Sequence, residues 1–240
     1  MQKMDSALLL AGGLGTRLRP ITNDIPKVMA PVQGKPILEY NIALCKKHGI
    51  KNIVIVIGHK GEKIMDYFGN GEKFGVKINY AGIETESKGT AHAIFISREL
   101  LKDRFVVFNG DNLSDIDLTL MNEFHENEKK IATLALVEMP DVENWGVAKV
   151  YAQLSGSLIM YFVEKPKHDE APSNLINAGV YIFEQKIFDY LEKAISLEHD
   201  VFPKLAEDGQ LICYIHESQW FPTDTMEKYT KAQREWKGLK

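Results

Sequence analysis

Apolar residues fall into two kinds of cluster along this chain. Short continuous runs closed by glycine or a polar turn read as strands buried on both faces. The segments "ALLLA" (residues 7–11), "NIVIVIG" (52–58) and "RFVVFNGD" are of this kind, and "VKINYA" and "IATLALVEM" add two more strands. Between them the spacing becomes helical. In "PILEYNIALCKKHGI", Ile37, Tyr40, Ile42 and Leu44 recur at helical intervals and Gly49 supplies the stop. "GEKIMDYFG", "GTAHAIFISRELL" and "IDLTLMNEFHENEKK" read as further helices. After Pro140 the pattern changes: "WGVAKVYA", "LIMYFVEK" and "NLINAGVYIFE" follow one another as strands with no helix between. A helix in "EQKIFDYLEKAI", another over 201–208, the strand "LICYIH" and a helix from Thr225 close the chain.

This alternation predicts an α/β fold, a three-layer α/β/α sandwich around a mostly parallel mixed sheet. The helix-free middle predicts a small antiparallel excursion over the strand C-termini, the edge where ligands bind in such sheets. The 240 residues suit one large domain or at most two small ones. A single domain is expected over 1–240, with no linker, repeat or low-complexity run. The formal charge of −4, without a basic run, argues against a nucleic-acid partner. Cys45 and Cys213 lack metal-ligand or disulfide-framework spacing. No apolar run reaches membrane-spanning length, and cytoplasmic residence with no membrane partner is the simplest expectation.

The segment "AGGLGTRLRPITNDIPK" follows the first strand. Gly12, Gly13 and Gly15 allow backbone N–H groups to approach an anion and form a nest. Arg17 offers a planar fork for phosphate oxygens, and Lys27, behind Pro26, a point charge. The string lacks both GxxxxGK[ST] and GxGxxG, so it is neither a Walker loop nor a dinucleotide fingerprint. From these residues alone, a strand–helix turn with solvated cations competes with a phosphate site.

The longer string "GGLGTRLRPITNDIPKVMAPVQGKPILEY" resembles the signature of the nucleotidyltransferases that make nucleotide sugars from a sugar 1-phosphate and a nucleoside triphosphate. The resemblance recurs at "GTAHA", "FNGDN", "WGV", "EKP", "NAGVYIF" and the 220–229 segment, so it spans nearly the whole chain. It implies a Rossmann-like sandwich, a Mg²⁺ ion, and release of pyrophosphate as the nucleotide sugar forms. It also implies that residues 1–115 mainly bind the nucleotide and 116–240 mainly the sugar phosphate, and it suggests a homodimer. Two polyanions meet in that reaction, so positioning and charge neutralisation would carry it.

On this resemblance Arg17, Lys27 and Lys165 are the catalytic candidates. Leu10, Ala11, Gly12, Gly13, Gly15, Thr16, Glu84, Gly89, Thr90, Asn109 and Asp111 would contact the nucleotide. Asn112, Gly146, Glu164, Asn177 and Gly179 would border the sugar. Asp111, directly after a buried strand, would bind the metal, although an ordinary Asx turn reads equally from spacing. Asp224 would be the second metal ligand or else the N-cap of the terminal helix. Asp115 and Asp117 read as acids at a helix N-terminus. Glu164 and Lys165 taken without the resemblance are a solvated turn, and Arg19, His92, His125 and His216 have no assigned chemistry.

Two features bear on the base. Relatives using thymidine or uridine nucleotides typically carry a glutamine where this chain has Glu84. A carboxylate only accepts hydrogen bonds, so it suits guanine, with two adjacent donors, or the cytosine amine, over the imide edge of thymine or uracil. Lys88 nearby weakens that argument. The form W-x-P-x-D-T at 220–225 is similar to that of glucose-1-phosphate cytidylyltransferases, and the chain also resembles the mannose-1-phosphate guanylyltransferase branch. GTP or CTP is therefore expected. The alternatives are a cytidylyltransferase acting on phosphocholine or a phosphonate, and a non-catalytic nucleotide-sugar-binding regulator.

Overall fold

The computed structural model describes residues 4–82, 89–153 and 156–239. The first strand, β1 (Ser6–Ala11), shows why the apolar runs are continuous. Ala7, Leu9 and Ala11 join one core while Leu8 joins a second on the opposite face. Both faces of the sheet are covered, so the strand is apolar on both faces from Ala7 onward.

Two short strands, β2 (Pro31–Val32) and β3 (Lys35–Pro36), make a hairpin ahead of α1 (Ile37–Lys47). Then follow β4 (Asn52–Ile57), α2 (Gly61–Phe68), β5 (Lys77–Gly82), α3 (Gly89–Phe95) and β6 (Phe105–Asn109). The second half comprises β7 (Asn112–Ser114), α4 (Leu118–Glu128), β8 (Ala132–Glu138), β9 (Gly146–Gln153), β10 (Gly156–Glu164) and β11 (Leu175–Phe183). The chain closes with α5 (Phe188–Leu191), α6 (Phe202–Glu207), β12 (Leu211–Ile215), β13 (Trp220–Pro222) and α7 (Met226–Glu235).

The main sheet runs β5-β4-β1-β6-β11-β8-β12-β10-β9. Only β10 and β11 oppose the common direction, which makes the sheet mostly parallel and mixed. Helices α1, α2 and α4 fill one core, with Leu38, Ile42, Ile64, Phe68 and Met121 facing the sheet. Helices α3, α5 and α6 fill the other, with Ala93, Ile94, Leu191, Phe202 and Leu205. Each such fully buried large side chain contributes about 2 kcal/mol of transfer free energy. A third small core joins α7 (Tyr229, Ala232) and its C-cap Trp236 to Leu18, Val32 and Leu113, so the chain's last helix packs behind its first loop.

The helix-free middle is placed differently from the expectation. β9 and β10 extend the far end of the main sheet, and β11 inserts at its centre between β6 and β8. The antiparallel excursion at the strand ends is instead the pair β7–β13, Trp220 opposite Ser114. Some helices are shorter than their patterns. The Ser97 hydroxyl donates to the Ala93 carbonyl (3.0 Å), and α3 gives way to a 3₁₀ turn at Arg98–Leu100. The helix expected over 201–208 begins earlier as a wide turn, Leu197–Val201, capped by the Ser196 hydroxyl. Among the described residues, no helix is long and apolar enough to cross a membrane.

Candidate active site

β1 ends at Ala11, and the glycine loop leaves the sheet beside β4 and β6, its two parallel neighbours. The loop is held from below. The Thr22 hydroxyl donates to the Gly15 carbonyl (2.8 Å), and Lys60 Nζ donates to the carbonyl of Thr22 (2.9 Å). Thr16 and Arg17 lie in a 3₁₀ turn, Thr16–Leu18, anchored by buried Leu18. Arg17 thus projects from a fixed turn with its side chain 68% exposed. Lys27 follows extended Pro26 at the start of another 3₁₀ turn, Lys27–Met29, and its side chain is mostly buried.

Asp111 lies just beyond β6, where backbone contacts fix it. Gly110 N–H donates to the Leu10 carbonyl (3.0 Å), and buried Asn41 donates to the Gly110 carbonyl (3.1 Å). The Thr223 hydroxyl donates to the Asp111 carbonyl (2.6 Å). The Asp111 carboxylate accepts a short bond from Lys27 Nζ. Leu10, Gly12, Gly13, Lys27, Gly89, Thr90, Asn109 and Asp111 line one cavity of about 290 Å³. Of the other nucleotide candidates, Ala11 packs in the core on the opposite face, Gly15 and Thr16 lie in the loop outside this lining, and Glu84 falls outside the described residues, as does Lys88.

The remaining candidates gather beside it. Gly179 has φ +74°, and the register of β11 breaks between Asn177 and Tyr181. A Cβ at Gly179 would stand 2.7 Å from Asn112 Nδ2 and 2.8 Å from Asn109 Nδ2, so only glycine lets the bulge approach β6. Asn177 Oδ1 accepts from Gly179 N–H (2.9 Å), its amide donates to the Tyr181 hydroxyl (2.9 Å), and Asn112 donates to the Ala178 carbonyl (3.2 Å). Gly146 pairs with Glu164 across β9 and β10. A Cβ on Gly146 would meet Glu164 Oε2 at 2.8 Å. That oxygen is buried with no hydrogen-bond partner among the described residues. Burial, reinforced by Glu198, pushes the Glu164 carboxyl above its ordinary pKa against the pull of Lys165. Lys165 extends into solvent, 63% exposed, with its Nζ 3.3 Å from Glu164 Oε1.

Asp224 is not the helix cap. Thr225 is: its hydroxyl accepts from Lys228 N–H (3.3 Å), which leaves the Asp224 carboxylate for side-chain partners. Oδ2 meets Arg17 (3.0 Å) and Oδ1 meets Lys228 Nζ (2.9 Å). Burial raises this carboxyl, but the bond and charge of Lys228, then the charges of Lys27 and Arg17, outweigh it and hold the pKa below its usual range. Asp117 caps α4 as expected, accepting from Thr119 and Leu120 N–H. Asp115 does not act at that helix end; it accepts from Gln219 and Ser218. His125 and His216 are satisfied within the fold, and Arg19 is exposed.

The sequence reading missed Lys60, Thr223, Glu198 and Lys228. Only Lys228 left a signal, its position four residues after Asp224 on a helix. Asp111 and Asp224 offer hard oxygen donors that fit a magnesium-like cation. No cluster of three or more His, Cys, Asp or Glu suited to a metal forms among the described residues, so ligand oxygens would have to complete the coordination.

Residues 6–237 match the family model described as nucleotidyl transferase. The chain belongs to the nucleotidyl transferase family. It is 36% identical to a UTP–glucose-1-phosphate uridylyltransferase of Synechocystis over 95% of this chain and 62% of the relative. It is also 36% identical to a D-glycero-alpha-D-manno-heptose 1-phosphate guanylyltransferase of Aneurinibacillus thermoaerophilus, over 95% of this chain and 97% of that one. A solved UDP-glucose pyrophosphorylase in complex with UDP-glucose superposes with TM-score 0.87 at 26% identity, covering 98% of both chains. The chain spans less than two thirds of the Synechocystis relative and nearly all of the heptose relative.

Proposed function

We propose that this chain joins a nucleoside triphosphate to a sugar 1-phosphate, releasing pyrophosphate. The observation that carries the reading is the convergence of Lys27 with Asp111 and of Arg17 with Asp224 at one sheet edge, beside the glycine loop and its cavity. In this reading residues 1–115 mainly hold the triphosphate and 116–240 the sugar phosphate. The sugar-phosphate oxygen attacks the α-phosphorus and the bond to pyrophosphate breaks. Lys27 offsets charge at the α-phosphate, Arg17 exchanges Asp224 for the departing pyrophosphate, and Lys165 steadies the acceptor phosphate. Glu164 offers its orphaned Oε2 to an acceptor hydroxyl, with Gly146 and Gly179 admitting the ring close to the backbone. Asp111 and Asp224 would hold Mg²⁺, which would neutralise phosphate charge.

GTP or CTP is the proposed nucleotide. Acceptor-only Glu84 supports both, the name of the heptose relative supports GTP, and W-x-P-x-D-T supports CTP. The reading includes a homodimer, measurable by light scattering, and a cytoplasmic location. No observation favours phosphocholine, a phosphonate or a non-catalytic role. The test is pyrophosphate release over a matrix of four triphosphates and several sugar 1-phosphates. Release with at least one pair, abolished by EDTA and restored by Mg²⁺, is expected. No release with any pair overturns the reading, and Glu84→Gln leaving the base preference unchanged overturns the base assignment.

A further inference from the structure

Lys228 stands between the Asp224 segment and the Trp145 loop, which no backbone hydrogen bond joins among the described residues. Its ammonium lies 2.9 Å from Asp224 Oδ1 and 4.0 Å from the centre of the Trp145 ring. The Trp145 carbonyl accepts from Lys165 N–H (2.9 Å), and the next residue is Gly146. The ring of Trp145 packs edge-on against Trp220 at 5.3 Å. Trp220 Nε1 in turn donates to the Ala178 carbonyl (2.8 Å), beside Gly179. One cation therefore connects the proposed metal carboxylate to the loop bearing Gly146 and Lys165 and to the bulge bearing Gly179. The lysine is partly shielded, with 29% of its side chain exposed, so water screens the contact only in part.

We propose that Lys228 is a positioning residue that pins Trp145, and with it the acceptor side of the pocket, to Asp224. The inference rests on the nucleotidyl-transfer reading but assigns Lys228 a role of its own. Asp224 anchors the ammonium, and the ammonium fixes the indole face. The indole sets the entry of β9 and the turn at Lys165, which has φ +50° and is held by its bond to Trp145. Arg17 takes the other oxygen of Asp224, so the triphosphate side does not depend on Lys228 in the same way.

The test compares wild type, Lys228→Met and Lys228→Arg. Pyrophosphate release by the wild type first establishes the reaction; its absence would sink the functional reading and not this one specifically. Fluorescence needs no substrate. Loss of the cation should change tryptophan emission in Lys228→Met, and that change should vanish in a Trp145→Phe background. Lys228→Met should raise KM for the sugar 1-phosphate about tenfold, with KM for the triphosphate within about twofold, and Lys228→Arg should restore most of the loss. The proposal fails if the emission change persists without Trp145. It also fails if KM for the acceptor stays within twofold of wild type, or if both KM values rise together. Should Lys228→Met not fold, Trp145→Leu carries the same KM comparison with the same deciding outcomes.

Discussion

The two ends of the central sheet each gather charged side chains, and they use them in opposite ways. At the glycine-loop end, Arg17 is largely exposed and meets Asp224 through one nitrogen. At the other end, Arg104 precedes β6 and is 5% exposed. Its Nε donates to Glu184 (2.7 Å) and its NH1 to Asn122 Oδ1 (3.1 Å). Buried His125 lies 3.1 Å from the same Glu184 oxygen and 2.7 Å from the Thr133 hydroxyl. A cavity of about 610 Å³ opens beside Arg104, larger than the one at the glycine loop. Neither charge density nor cavity size sets the proposed reactive end apart. What differs is replaceability: largely exposed Arg17 can trade Asp224 for a phosphate at little cost, whereas buried Arg104 is tied to buried Asn122 as well as to Glu184.

The contrast breaks most readily at Lys27 and Asp224. Lys27→Met should cut pyrophosphate release by about 10²–10³-fold. Asp224→Asn should also reduce release strongly. Asp224→Asn should alter urea stability little, because the Arg17 it leaves behind is largely exposed, and Lys27→Met should cost little more, because the Asp111 carboxylate it leaves behind is partly exposed to water. A loss of stability matching the loss of rate would make these pairs structural and erase the distinction between the two ends.

Arg104→Met tests the other end. It leaves the buried Asn122 amide oxygen without its donor and Glu184 with His125 alone, and should cost roughly 1–3 kcal/mol in urea unfolding. The fraction that stays folded should keep its KM values. A stable variant with altered KM would mean that the far cluster communicates with the site.

Much of this contrast was readable before the fold. The runs at the heart of β1, β4 and β6 are apolar without alternation because both faces are covered, and the glycine loop stood directly after the first of them. Asp111 could be placed at the sheet edge by the same logic. The location of β11 could not, because an apolar run carries no record of which neighbours it pairs with or in which direction. The β7–β13 pair was illegible for a different reason: three residues give no period, and its partners lie more than a hundred positions apart. Arg104 carried no sequence signal of its burial, because the partner that the fold brings to it, Glu184, lies eighty residues later.

Thr225 sharpens the assignment of Asp224 with a smaller effect. As the cap of α7, Thr225→Ala should lower stability by ~1 kcal/mol and leave KM for both substrates within about twofold. The pair of variants separates cap from carboxylate: Thr225→Ala should move stability and Asp224→Asn should move rate. The opposite pattern would restore Asp224 as the cap.

The smallest effect concerns pH and appears only on the acid side. Burial keeps His125 neutral, lowering its pKa against the pull of Glu184, so the unfolded chain binds a proton near pH 6.5 that the folded chain refuses. Its contribution is complete above that value and declines as pH falls toward the folded-state pKa. The Glu184 carboxyl is lowered by its bond to His125 and then by Arg104, against burial, so its own contribution holds above about 4.5 and is lost below it. Both groups therefore weaken the fold in the same direction on acidification. Urea midpoints should fall between pH 7 and pH 5, and His125→Gln should flatten that slope while changing the stability at pH 8 by a roughly constant offset. An unchanged slope would mean that His125 takes up its proton in place, and the far cluster would then resemble the glycine-loop end in being able to exchange its charges.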